Sequence, residues 1–169
     1  MDILKELGGG DRRSIGKANR IVALVLKTPE LFDDVMRGLR DGDPLIQMRC
    51  ADVAEKVSAA RPDWLQRHKR DILLLASKVQ AKEVRWHMAQ MVPRLRLTAG
   101  DRQKVIALLF EYFKDESRIV KTCAMQALFD MSRSDRRLRS RVVPVLRAAL
   151  ENGSGATRSR ARKLLEKIR

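Results

Sequence analysis

Four stretches of the chain carry one nine-place pattern. Residues 46–54, 84–92, 120–128 and 157–165 align without gaps, and in each the apolar or small residues occupy the first, fifth, eighth and ninth places. That spacing follows a period near 3.6 and marks one face of a helix, not the alternation of a half-buried strand. The first residues of the four stretches, Ile46, Val84, Val120 and Thr157, lie 38, 36 and 37 positions apart. Self-similarity at such an interval is the mark of stacked helical units, none of which buries its apolar side alone.

Another amphipathic stretch precedes each of these, over 30–39, 64–79, 102–113 and 137–150. The punctuation between partners is brief and turn-like: Asp41-Gly42-Asp43-Pro44, Lys114-Asp115-Glu116-Ser117 and Asn152-Gly153-Ser154-Gly155. Short turns of this chemistry join antiparallel neighbours. The expected organisation is therefore one all-α domain over 1–169, with a partial leading pair over 1–27 and full pairs over 29–59, 63–97, 101–132 and 136–168. In the leading part, 2–7 reads as a short helix, Gly8-Gly9-Gly10 as a break and 14–27 as a second helix. Thr28 is expected to cap the helix that follows, with Pro29 at its first position. Pro93 is expected to kink or stop its helix near Ala89, because proline lacks the N–H and crowds the preceding turn. Pro144 falls inside a first helix.

A turn followed by an aliphatic–basic pair and a small residue recurs in Val84-Arg85 through Ala89 and in Arg118-Ile119-Val120-Lys121 through Ala124. This resembles the HEAT-repeat family, and the resemblance covers nearly the whole chain. It implies a right-handed α-solenoid of about four and a half antiparallel HEAT-like pairs. It also implies that the basic residues Arg85, Lys121 and Arg158 form a ladder with acidic turn residues. Two departures stand out: Gln47 occupies the basic place in the first full repeat, and Thr157 replaces an aliphatic residue in the last.

In such a solenoid the second helices line the concave face. The third, fourth and seventh places lie opposite the core positions and would point into it. They hold Met48, Trp86 and Thr122; Arg49, His87, Cys123 and Arg160; and Asp52, Gln90, Gln126 and Lys163. The candidate binding set is accordingly Met48, Arg49, Trp86, His87, Gln90 and Gln126. Trp86 carries the most information, since an indole at a non-core place suits a binding hot spot or a stacked base; its alternative role is packing over the next repeat.

Composition agrees with helices packed through aliphatic side chains: 44% of residues are hydrophobic and only 4% aromatic. Cys50 and Cys123 have no CxxC partner and are expected as buried, reduced thiols. No run approaches 18 apolar residues, and Asp2, Lys5 and Glu6 interrupt the N-terminal apolar residues before a signal sequence could form, so a cytoplasmic protein without membrane insertion is expected. Lys and Arg outnumber Asp and Glu by 36 to 21, a formal +15. Twelve of these cations fall between 133 and 169 against Asp135, Glu151 and Glu166. The basic patch Arg133, Arg136, Arg137, Arg139, Arg141, Arg160 and Lys163, with Arg158 and Arg162 nearby, could hold phosphates or could serve as a solvated cap. Because Arg158, Arg160 and Arg162 span different faces of one helix, they cannot all address one ligand.

No residue constellation points to catalysis, a metal or a cofactor. The stretch Gly10 to Gly16, followed by Lys17 and Ala18, is one residue too long for a phosphate loop and lacks the hydroxyl. His68 and His87 belong to no zinc-ligand spacing. No His-Glu dipeptide is present, which counts against the iron-dependent hydroxylases of this architecture. The expected function is a non-catalytic scaffold that grips an unidentified protein partner through its concave face. The alternatives are nonspecific nucleic-acid binding through the basic surface and, further off, a HEAT-like alkylpurine DNA glycosylase, for which Asp52 and Trp86 are the available side chains.

Overall fold

Helix starts are written into the turns. Asp43, Thr98, Ser117, Asp135 and Ser154 each sit in extended backbone and accept a hydrogen bond from an N–H of the first turn that follows, at Leu45, Asp101, Val120, Leu138 and Thr157. These side chains satisfy donors that a helix leaves without intrahelical partners. The computed structural model describes residues 2–11 and 14–168. Met1, Arg12, Arg13 and Arg169, which belong to the expected leading pair and to the basic tail of the sequence, lie outside the described residues. Helix makes up 78% of the structure, no strand occurs among the described residues, and ten helices pack against one another.

The chain divides into two compact units, Met1–Leu95 and Arg96–Arg169. The first unit contains α1 (Ile3–Leu7), α2 (Ala18–Lys27), α3 (Leu31–Gly38), α4 (Pro44–Ala60), α5 (Lys69–Lys78) and α6 (Lys82–Met91). Its long helix α4 is the centre, packed by α1, α2, α3 and α6. Ile3, Leu7, Ile21, Phe32, Met88 and Met91 are among the largest side chains closed off from solvent there. At Gly38 a Cβ would run into the Cys50 sulfur and the Leu4 side chain, so the missing side chain is what lets α1, α3 and α4 approach. The second unit contains α7 (Ala99–Phe113), α8 (Arg118–Ser132), α9 (Arg136–Asn152) and α10 (Gly155–Glu166), with α8 packed on α7, α9 and α10, and α9 on α10.

The repeated places bury as the period requires. The first, fifth, eighth and ninth residues of all four stretches are buried except Ile46 and Leu165, which are half-buried. Leu128, Val53, Met88 and Ala161 are each at 1% exposure or less.

Three local expectations come out differently. Thr28 closes α2, its N–H bonded to the carbonyls of Leu24 and Val25, and does not cap α3, which begins only at Leu31 after a tight turn through Thr28 and Pro29. Helix α2 begins at Ala18 and not at Ser14, because Gly16 takes φ +52°, a left-handed conformation that no right-handed helix accommodates. Pro93 stops its helix, but two residues later than Ala89; α6 runs to Met91 and tightens into a 3₁₀ turn over Val92–Arg94, which removes the need for the missing N–H. Pro144 sits in the middle of α9 without ending it.

Candidate functional site

In the first unit the residues opposite the buried stripe come from α4 and α6, and only some of them remain open. Met48, Trp86 and Gln90 are half-buried, whereas Arg49 is 3% and His87 8% exposed. Arg49 is closed in by the chain itself. Its guanidinium donates to the carbonyls of Leu7 and Gly9, both at 2.7 Å, and to those of Asp11 and Ser14 at 3.1 Å, with Nε reaching Ser14 at 3.2 Å. The planar fork thus gathers the glycine-rich stretch between α1 and α2 onto α4. The fit is close: a Cβ on Gly16 would stand 2.8 Å from the guanidinium carbon. All its donors being occupied, Arg49 offers none to a partner.

His87 lies at the other end of the same face. Its ring centroid is 5.4 Å from that of Trp86 at 59°. Burial holds its pKa below the ordinary imidazole value against the opposing pull of Asp52 and Glu55, and Lys56 adds to the depression. Its Nδ1 is buried with no hydrogen-bond partner. The carboxylates around it are already engaged. Asp52 accepts from Lys56 Nζ at 2.7 Å, and that ammonium also reaches Asn19 Oδ1 at 2.8 Å. Glu55 pairs with Arg94 Nη2 at 2.5 Å, while Arg94 Nη1 holds the Glu55 carbonyl and Ser58 Oγ at 2.8 and 2.7 Å. Arg94 follows Pro93, and the 3₁₀ turn is what aims it back at α4.

Cys50, packed against Gly38, is fully buried, and its thiol is pushed up to about 12, first by burial and then by Asp41. Cys123, half-buried on α8, is free of any disulfide, as is Cys50. No group of three or more His, Cys, Asp or Glu among the described residues is placed to hold a metal ion. No helix among them is long and apolar enough to cross a membrane.

In the second unit Thr122, Cys123 and Gln126 are half-buried on α8, and Arg160 and Lys163 are exposed on α10. Gln126 bridges the helices: Arg160 Nη1 donates to its Oε1 at 2.8 Å, and its own Nε2 donates to both oxygens of Asp130 at 3.0 Å. A groove of about 470 Å³ lies near the C-terminal ends of α8 and α10, where Arg133, Arg139 and Lys167 meet Phe129 and Asp130.

The basic patch does not act as one cluster. Arg139 is half-buried and its donors go to the carbonyls of Ser132 and Arg133, closing the end of α8. Arg141 lies over the Phe110 ring, 4.8 Å from its centroid. Arg136 and Arg137 are exposed on α9, as is Arg147, a residue that the sequence reading passed over. Arg147 stands eleven positions, about three helical turns, beyond Arg136, and that spacing was the available signal. Asp135 is held below the usual carboxylate range by the Leu138 N–H and then by Arg102, whose Nη2 is 3.2 Å away.

No protein-family model, curated protein or solved structure matches the chain.

Proposed function

We propose that the chain is a HEAT-like right-handed α-solenoid of antiparallel pairs that acts without catalysis, as a scaffold gripping a protein segment. The observation that carries this reading is the division of each repeated stretch: one side is buried in register, and on the opposite side of α4 and α6 Met48, Trp86 and Gln90 stay half open. Trp86 is the anchor. Its indole leans on a buried imidazole and keeps part of its surface for a partner, the arrangement in which a tryptophan dominates an interface. Beside that imidazole stand paired charges, Asp52 with Lys56 and Glu55 with Arg94, which leave no unpaired acid there.

The test uses the intact protein and a Trp86→Ala variant with unchanged circular dichroism. A partner recovered by affinity capture and then purified binds the variant at least tenfold more weakly, about 1.4 kcal/mol. Equal affinity for the two proteins, or a partner held equally well after Gln90→Ala and Trp86→Ala together, would overturn the reading.

A further inference from the structure

The exposed arginines of the second unit carry an inference that does not depend on Trp86. Leu138, Val142, Leu146 and Ala149 turn α9 towards the core. At 100° per residue the opposite side presents Arg136, Arg137 and Arg147, all exposed. Helix α10 brings Arg158 and Arg162, one turn apart, to a shallow depression that they share with Leu150 of α9. Two carboxylates, Glu151 and Glu166, are exposed on the same helices, so the five arginines are not neutralised.

Three features select the partner. The first is spacing: Arg136 and Arg147 are about 16 Å apart along the helix axis, enough to reach phosphates on both walls of a major groove about 12 Å wide. The second is residue type, since a guanidinium meets phosphate with two parallel donors where an ammonium offers a point charge. The third is that no large hydrophobic residue is exposed beside the charge, Leu150 in the depression being half-buried. The large exposed hydrophobic residues are Ile15, Leu26, Leu74 and Ile119, none of them on α9 or α10. In this unit Tyr112 and Phe129 are buried, Phe110 is covered by Arg141, and Phe113, half-buried on α7, lines a groove that includes none of the five arginines. A surface without exposed aromatic platforms does not stack unpaired bases, one without exposed large apolar side chains does not enter a bilayer interface, and one without an exposed apolar centre is unlike a protein interface. We propose that the arginine face of α9 and α10 binds the phosphate backbone of double-stranded nucleic acid without reading its sequence.

Fluorescence anisotropy with a labelled 25-base-pair DNA duplex tests this on the full chain. Five phosphate contacts give a slope of log affinity against log salt of about −4.5, so binding weakens several hundredfold, about 500-fold, between 50 and 200 mM salt. An Arg136→Gln/Arg147→Gln variant lowers the slope magnitude by about 2, and its exposed positions leave thermal unfolding unchanged. Arg70, exposed on α5, supplies the control: an Arg70→Gln variant keeps the slope within about half a unit of the parent's. Absence of binding at 50 mM salt overturns the proposal. So does tighter binding of the matching single strand, preference for anionic vesicles over the duplex, or equal weakening by Arg70→Gln and the paired substitution.

Discussion

Replacing Arg49 by Met asks how much the N-terminal clasp contributes, because Met keeps most of the buried volume and none of the donors. Five N–H contacts to four carbonyls would be lost. Hydrogen bonds from a charged donor are worth about 1.5–3 kcal/mol net each, but the terms do not add here. Gly9, Asp11 and Ser14 are exposed, so their carbonyls regain water once released. The Leu7 carbonyl sits in the buried part of the clasp and does not. One orphaned buried acceptor costs about 1–3 kcal/mol, and the return of a buried cation to water in the unfolded chain works against the native bonds. The expected balance is a loss of about 2–3 kcal/mol, a fall of roughly 4–12 °C in Tm at this chain length. Arg49→Lys, which keeps the charge and loses the fork, falls between. The assay is urea unfolding followed by circular dichroism, paired with trypsin cleavage between residues 9 and 17, where release of the stretch raises the rate before global unfolding. An Arg49→Met protein with the parent's midpoint and the parent's cleavage rate would refute the reasoning, since the guanidinium would then be replaceable by apolar volume.

Three further outcomes are expected. His87 titrates below its unfolded value near 6.5, so its contribution to stability is complete above that pH and disappears as pH falls through the lower folded value; among the groups facing it, Asp52 and Glu55 moderate the effect and Lys56 strengthens it. Urea midpoints from pH 7.5 to 4.5 should fall more steeply for the parent than for His87→Gln, and identical profiles would contradict the burial argument. Leu128→Ala should cost about 2–5 kcal/mol by the same denaturation, because the side chain is 1% exposed on α8; a loss under about 0.5 kcal/mol would mean the repeat places do not form the core. A thiol reagent at pH 8 should leave Cys50 unmodified in the native protein, its thiol being buried and pushed up to about 12, and should reach it in urea; prompt native labelling at Cys50 on peptide mapping would be inconsistent with that burial.

The helical class and the buried stripes were legible because both depend on a period alone. Val53, Met88, Leu128 and Ala161 occupy places that any helix of 3.6 residues per turn would turn inward together, whatever packs against them. Helix ends were less legible, since they depend on single backbone angles. Gly16 at φ +52° delays α2 by four residues, and no composition rule distinguishes that glycine from Gly8, whose φ is not positive. Thr28 has the chemistry of an N-cap, yet α3 begins only at Leu31 with Glu30 in the cap place, so Thr28 stands too far back for its side chain to cap that helix.

The fourth place of the repeat explains why the candidate site was harder to read than the fold. Arg49, His87, Cys123 and Arg160 share one helical angle relative to the buried stripe, and they meet different fates: clasped by four carbonyls, buried against Trp86, half-covered on α8, and exposed with a bond to Gln126. Helical angle determines which residues leave the core, but what comes to lie over them is decided by segments outside the repeat. For Arg49 that segment is the glycine-rich stretch, whose three left-handed residues Gly9, Gly10 and Gly16 let the backbone turn its carbonyls inward. Before Arg160 no such segment lies, and its guanidinium stays exposed. What stays open at this place is thus set by whether another segment of the chain passes over the helix, and in the first unit a search for a partner's footprint belongs at Trp86 and Gln90, which stay half open.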